Sequence, residues 1–335
     1  MPSEPWKHCQ TWVTRRTAGR PSRPSARWLA MCWNATGDTA LERADAPARP
    51  IKVLMVTPLG YCLGVSKALA LARQALATSN GEPVHALGAL IHNPQEMERL
   101  ADEGLLTVQT VDEAQAGTLI IRAHGVPPNV ISEARAKGLR VVDGTCKQVT
   151  RSQHEAAKLL ADGRRVLIYG DGRHPEVIGI VGAVGGRAEV IESEEDALRL
   201  PPPYERMGVL CQSTKQPEQF QRIVELLRSH GGDLEVRNTI CPWVVRRQTH
   251  TRQLAASVDA MVVVGGKHSS NTRRLADLCA ASDTPAYHVE TADDLRPEWF
   301  HNVRVVGLTA GLSTPMRLVE EVRDAIYRIA ALPNA

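Results

Sequence analysis

The chain has 335 residues, 43% of them apolar and 23% charged, and a formal net charge of +3. These are ordinary proportions for a soluble globular protein with room for two or three domains. The small charge argues against a nucleic-acid partner. No window approaches the roughly 18 consecutive apolar residues of a membrane span, so no membrane partner is expected either. The seven cysteines are odd in number and widely scattered. That pattern reads as reduced, cytoplasmic thiols from which metal ligands can be drawn, not as a disulfide framework.

Residues 1–50 differ from the rest. Four of the six tryptophans (Trp6, Trp12, Trp28 and Trp33) fall there, around an Arg/Pro/Ser run from Arg15 to Arg27 with no sustained period. A disordered N-terminal extension or an upstream translation start is expected, with Met31 as an internal start; a transit peptide is the competing reading. From Ile51 onward, short β-branched runs alternate with helical patterns. The runs are Ile51 to Thr57, Leu119 to Arg122, Val141-Val142, Val166 to Tyr169, Met261 to Val264 and Val303 to Leu308. Helical stretches are expected up to Ala77, and over Ser152 to Leu160, Pro217 to Ser229 and Thr272 to Cys279. Such alternation predicts an α/β class with parallel sheets.

One local shape recurs three times: a short strand, a turn, and a cysteine opening a helix. It is seen in Val53 to Cys62, Leu139 to Cys146 and Leu234 to Cys241. The cysteines are spaced by 84 and 95 residues, about one small α/β unit each. The spacing predicts three pseudo-threefold-related α/β domains, at 51–145, 146–240 and 241–330, each bringing one thiol to a common point. Three dispersed thiolates suit an iron–sulfur cluster with one iron free of protein ligands. Placement at helix N-termini is expected to lower their pKa. Ordinary buried cysteines remain the competing reading on spacing alone, and Cys9, Cys32, Cys211 and Cys279 are read as non-ligands.

His92, His124 and His174 each follow a strand-like run beside turn formers, where imidazoles can hold an anion and relay protons. The segment Val263 to Thr272 runs from a strand through Gly265-Gly266 into Ser269-Ser270-Asn271 at a helix start. It reads as a phosphate cradle or as simple capping. Thr309 to Pro315, with Ser313, repeats the theme, and Cys211-Gln212-Ser213-Thr214 offers further hydroxyls. Glu176 is a candidate proton donor.

In their order and spacing several motifs are specific. They are Gly60-Tyr61-Cys62-Leu63-Gly64-Val65, His92-Asn93, Ala123-His124-Gly125-Val126, Asp143-Gly144-Thr145-Cys146, His174-Pro175-Glu176-Val177 and Asn238-Thr239-Ile240-Cys241, followed by Gly265 to Asn271 and Ala310 to Pro315. Over roughly residues 51 to 330 the chain resembles the 4-hydroxy-3-methylbut-2-enyl diphosphate reductase family, last enzymes of the methylerythritol phosphate route to isoprenoids. The resemblance implies a trefoil of three α/β domains around a central [4Fe-4S] cluster held by Cys62, Cys146 and Cys241. It implies that His92, His124, His174, Ser269, Ser270, Asn271 and Ser313 surround the diphosphate, that Ser213 keeps a substrate-facing hydroxyl where the family usually has Thr, and that Glu176 guides protons to the leaving hydroxyl. The implied reaction binds the allylic oxygen to the open iron and uses two electrons and two protons. It yields isopentenyl and dimethylallyl diphosphates, with ferredoxin or flavodoxin as electron donor. Tyr61, Arg122, Gly144, Lys147, His268 and Leu312 depart from the family's usual pattern. The alternatives are a divergent paralogue acting on another allylic diphosphate, and a cluster-bearing redox sensor without turnover.

Overall fold

The computed structural model describes residues 51–331. The expectations for residues 1–50, Cys9 and Cys32 among them, lie outside the described residues. Strands and helices alternate except between Val108 and Thr118 and between Val289 and Val305, where short 3-10 turns join consecutive strands: β1 (Lys52–Met55), α1 (Leu63–Ala77), β2 (Val84–Leu87), α2 (Pro94–Asp102), β3 (Leu105–Val108), β4 (Thr118–Ile121), α3 (Pro128–Ala136), β5 (Arg140–Asp143) and α4 (Lys147–Ala161). Then come β6 (Arg165–Tyr169), α5 (Pro175–Ala183), β7 (Ala188–Ile191), α6 (Glu194–Leu198), β8 (Arg206–Cys211), α7 (Pro217–Ser229), β9 (Asp233–Arg237) and α8 (Pro242–Ala255). The chain closes with β10 (Ala260–Val264), α9 (Ser270–Ala280), β11 (Ala286–Val289), β12 (Val305–Ala310) and α10 (Met316–Ala330).

The strands form three four-stranded sheets, ordered β3-β2-β4-β5, β7-β6-β8-β9 and β11-β10-β12-β1. Every pairing is parallel. Each sheet therefore repeats one order, second-first-third-fourth, provided β1 is counted as the fourth strand of the last repeat. Sequence boundaries assign residues 52–55 to the first unit, but β1 pairs with β12, Lys52 opposite Val305 and Met55 opposite Leu308. The cause lies in packing. Ile51 and Val53 join an apolar layer with Val306, Leu308, Val319, Val322 and Ile326.

Helices cover both faces of each sheet, as parallel sheets require. In the last one, Val262 and Val264 face α10, while Met261 and Val263 face Leu275, Leu278 and Cys279 of α9. The same period-2 split divides Leu167 and Tyr169 from Val166 and Ile168. The strands point their C-terminal ends toward the loops carrying the candidate residues. In each sheet the first and third strands are neighbours at the point where strand order reverses, and open α/β sheets bind ligands at such a switch point.

Candidate active site

All twelve residues singled out from the sequence line one cavity of about 110 Å³: the three cysteines, three histidines, Glu176, Ser213, Ser269, Ser270, Asn271 and Ser313. Each sheet contributes alike. The edge strands β1, β5 and β9 lead into Cys62, Cys146 and Cys241, which are the N-cap residues of α1, α4 and α8. A backbone bond fixes each cysteine to the loop after the adjacent strand. Cys62 N donates to Leu312 O (3.1 Å), Cys146 N to Ala123 O (3.0 Å) and Cys241 N to Ser213 O (2.9 Å). Cys146 Sγ lies so near α1 that a Cβ on Gly64 would come within 2.6 Å of it. All three are free thiols, half-buried, whereas Cys211 and Cys279 are buried in the apolar layers.

The thiol pKa differs from expectation. Burial pushes the Cys62 and Cys241 thiols up, and the neighbouring cysteines add to the rise. The backbone N–H groups of Gly64 and Val65, and of Trp243 and Val244, pull the other way without prevailing. Desolvation of a thiolate outweighs the helix N-terminus here.

His92 follows β2, His124 follows β4 and His174 follows β6. Their ring centroids are 4.3 Å (His92–His124), 5.7 Å (His92–His174) and 5.4 Å (His124–His174) apart. One nitrogen from each lies within 4.8 Å of the others, close enough to share a ligand. Burial keeps all three rings neutral, His92 and His174 at a pKa of about 4 and His124 well below its ordinary value; Arg122 and the rings themselves push the same way. His174 caps α5, its Nδ1 accepting from Glu176 N at 3.2 Å. Nδ1 is then the unprotonated nitrogen, and Nε2 carries the proton. His92 Nε2 and His124 Nδ1 are buried with no partner in the protein.

Glu176 is 2% exposed. Ser213 meets it twice, backbone N to Oε1 and Oγ to Oε2, both at 2.7 Å. Burial raises its pKa, and the two Ser213 bonds offset part of the rise. Opposite stands the start of α9. Ser269 is its N-cap, its Oγ accepting from Thr272 N at 3.2 Å, so capping is real and does not remove the residue from the cavity. Both amide atoms of Asn271 are buried without a protein partner, and buried amides otherwise find one. Ser270 Oγ lies 3.1 Å from Thr214 Oγ1, and Ser313 Oγ donates to His92 O at 3.3 Å. Gly311 lets the last loop approach α9, since a Cβ there would meet Thr272 Oγ1 at 2.1 Å.

Sequence reasoning missed Gln148, which lines the cavity from the first turn of α4 and bonds Thr239 O at 2.9 Å. Nothing local marks it. Thr214 also lines the cavity; it lay in a segment noted only for its hydroxyls. Arg122 turns out to be half-buried, near enough to depress all three imidazoles.

Three parallel-sheet units that deliver thiols, imidazoles and hydroxyls to one cavity define an α/β protein with a thiol-lined candidate centre. The family described as LytB protein matches residues 53–327. A curated relative from Aquifex aeolicus, named 4-hydroxy-3-methylbut-2-enyl diphosphate reductase, is 39% identical over 83% of this chain and 97% of its own length. One of the same name from Geotalea uraniireducens is 38% identical over 83% of this chain and 98% of its own. A solved structure of (E)-4-hydroxy-3-methyl-but-2-enyl diphosphate reductase, described as the terminal enzyme of the non-mevalonate pathway, superposes with a TM-score of 0.62. It is 37% identical and covers 83% of this chain and 99% of that one. The Plasmodium falciparum reductase superposes at 0.78, with 25% identity over 82% and 87% of the two chains. The chain belongs to the LytB family of diphosphate reductases.

Proposed function

We propose that this chain carries out the reaction for which its relatives are named, reductive dehydroxylation of 4-hydroxy-3-methylbut-2-enyl diphosphate to isopentenyl and dimethylallyl diphosphates. The allylic C–O bond breaks, two electrons and two protons are taken up, and water leaves. The observation that carries the reading is the sharing of one cavity by three free thiols, three neutral imidazoles and a buried carboxyl of raised pKa.

The thiols fit an iron–sulfur cluster. They are unpaired, half-buried, and close enough to repel one another as thiolates, with backbone N–H groups aimed at Cys62 and Cys241. Cationic iron relieves that repulsion and deprotonates a coordinating thiol. When bound by Cys62, Cys146 and Cys241, a [4Fe-4S] cluster supplies electrons and a Lewis-acidic iron. Free thiols and such a cluster fit a reducing, cytoplasmic setting. A ferredoxin or flavodoxin would bring the electrons.

The chain's own residues do the rest. His92, His124 and His174, neutral on their own, donate to the diphosphate, whose negative charge draws them toward imidazolium. Converging imidazoles can also hold a metal ion, but the α9 N-terminus with Ser269, Ser270 and Asn271, and Ser313 across from it, favours an anion. Ser213 donates to Glu176 from its backbone N and from Oγ, which fixes the carboxyl at the cavity wall. A carboxyl kept protonated by burial can deliver a proton to the departing hydroxyl. We read the three sheet units as three domains near 51–145, 146–240 and 241–330, the first lending β1 to the third.

Anaerobic turnover of the five-carbon hydroxy diphosphate, followed by oxidation of a reduced viologen, tests this reading. Cys146→Ser should lose both turnover and the cluster's absorption, and Glu176→Gln should lose turnover while keeping the absorption. No turnover by fully loaded wild-type protein would refute it.

A further inference from the structure

The proposed reaction consumes two electrons that must come from outside the cavity to the group the three thiols would hold, and the surface nearest the thiols has a distinctive make-up. Each thiol is followed, within two residues, by a side chain open to solvent. Leu63 is 70% exposed at the start of α1, Trp243 is 37% exposed in the first turn of α8, and Lys147 opens α4. Two large apolar side chains thus stand exposed at the starts of thiol-bearing helices.

Lys147 also lines a groove with Lys67, Asp143, Thr145, Arg151 and His154. Lys67 reaches across from α1 to the strand end ahead of Cys146, its Nζ 3.4 Å from the carbonyls of Asp143 and Thr145. The carboxylates on this face are committed elsewhere. Asp143 Oδ1 accepts from Thr145 N at 2.9 Å, and Glu155 pairs with Lys158 (3.2 Å) and Arg237 (3.5 Å). Among the described residues, Lys67, Lys147 and Arg151 take part in none of the ion pairs. On the α8 side, Arg246 adds a further exposed cation next to Trp243.

We infer that the surface around the three thiol-bearing helix starts, which carries Leu63, Lys147 and Trp243 with Lys67 and Arg151 in the groove beside Lys147, docks a small acidic one-electron carrier protein. The inference rests on the reductase reading. Unpaired cations together with exposed apolar side chains complement a carrier whose redox group lies near a surface ringed by carboxylates. They would steer it so that the two centres meet by the shortest path. Lys147, which stands where the family usually has Pro, puts one of those cations directly beside a thiol-bearing residue.

The test uses the cluster-loaded full chain and a plant-type [2Fe-2S] ferredoxin as probe, with Kd measured anaerobically by titration calorimetry at low and high ionic strength. Charge reversal at Lys147→Glu with Arg151→Glu should weaken binding roughly tenfold or more, and added salt should weaken wild-type binding in the same sense. Arg206→Glu, an exposed change at the N-terminal end of β8, should leave Kd within about twofold, and viologen-driven turnover should stay within about twofold in every variant. Leu63→Ser tests the apolar contact independently and should also weaken binding. An unchanged Kd in the double variant, or no ferredoxin binding by wild-type protein, would overturn the proposal. So would sedimentation showing that this face joins two copies of the chain. A wild-type protein that binds ferredoxin yet fails with viologen would instead overturn the reductase reading and leave the docking face standing.

Discussion

Glu176 is held by two bonds from a single residue, Ser213, and this decides how it responds to substitution. Glu176→Gln keeps the volume and can keep a bond to Ser213 Oγ, but it has no proton to yield. Turnover should fall by about 10² to 10⁴, the usual range for a lost general acid, with the melting temperature nearly unchanged. A calorimetric scan alongside the viologen assay separates this from misfolding. The imidazoles make a second prediction. His92 and His174 titrate at about 4 in the folded chain, against about 6.5 when unfolded. Between those values the unfolded chain binds protons that the folded one refuses. The stability they contribute is therefore complete above about pH 6.5 and is lost as the pH falls toward 4. An anion in the cavity reverses the preference by favouring imidazolium. Pyrophosphate binding near pH 6 should therefore be accompanied by proton uptake, read by calorimetry in buffers of different ionisation enthalpy; proton release would contradict the assignment.

At the scale of elements, the three helices that begin at cysteines carry the tightest constraint. Gly64→Ala should suit α1 itself, since Gly costs about 1 kcal/mol relative to Ala inside a helix. The new Cβ, however, would come within 2.6 Å of Cys146 Sγ. The variant should fold at least as well without metal and yet bind iron poorly, a split visible as an unchanged apo melting temperature with a lowered iron content per chain. These elements also show what the sequence could and could not convey. Helix α7 is found over Pro217–Ser229 as read, because Pro at the first position and a clear apolar stripe bracket it. Strands β2, β3, β7 and β11 went unmarked; His85, Thr107, Glu189 and His288 interrupt their short apolar runs. The cysteines, histidines and serines were legible because they recur at strand ends. Gln148 was not, because only the rotation of α4 brings it to the cavity. The thiol pKa was misjudged for a related reason: a helix start is visible in sequence, whereas the depth of burial is not.

For the molecule as a whole, the weak point is the sheet assembled from both ends of the described chain. Leu308 is fully buried in β12, between β1 and β10. Leu308→Ala should cost about 2–5 kcal/mol by opening a cavity in that layer, a loss that denaturant titration would detect. The damage should reach the thiols, because Cys62 is anchored through Leu312 O just past the same strand. The threefold repeat of the sheets was legible in outline from the cysteine spacing. That the repeat is cyclically shifted was not, since a parallel pairing partner leaves no mark on the strand it will join.

This shift bears on how the protein is made. On the ribosome β1 is the first of the described strands to emerge, but its only partner strand among the described residues, β12, is the last of them to be synthesised. The loop that fixes Cys62 follows β12 in turn. The other two thiols gain their anchoring strands as each unit is completed, while the first waits for nearly the whole chain. Convergence of the three thiols is thereby placed at the end of translation: a chain cut short before β12 keeps the strands of its first two sheets, β2 to β5 and β6 to β9, and cannot bring the three thiols together.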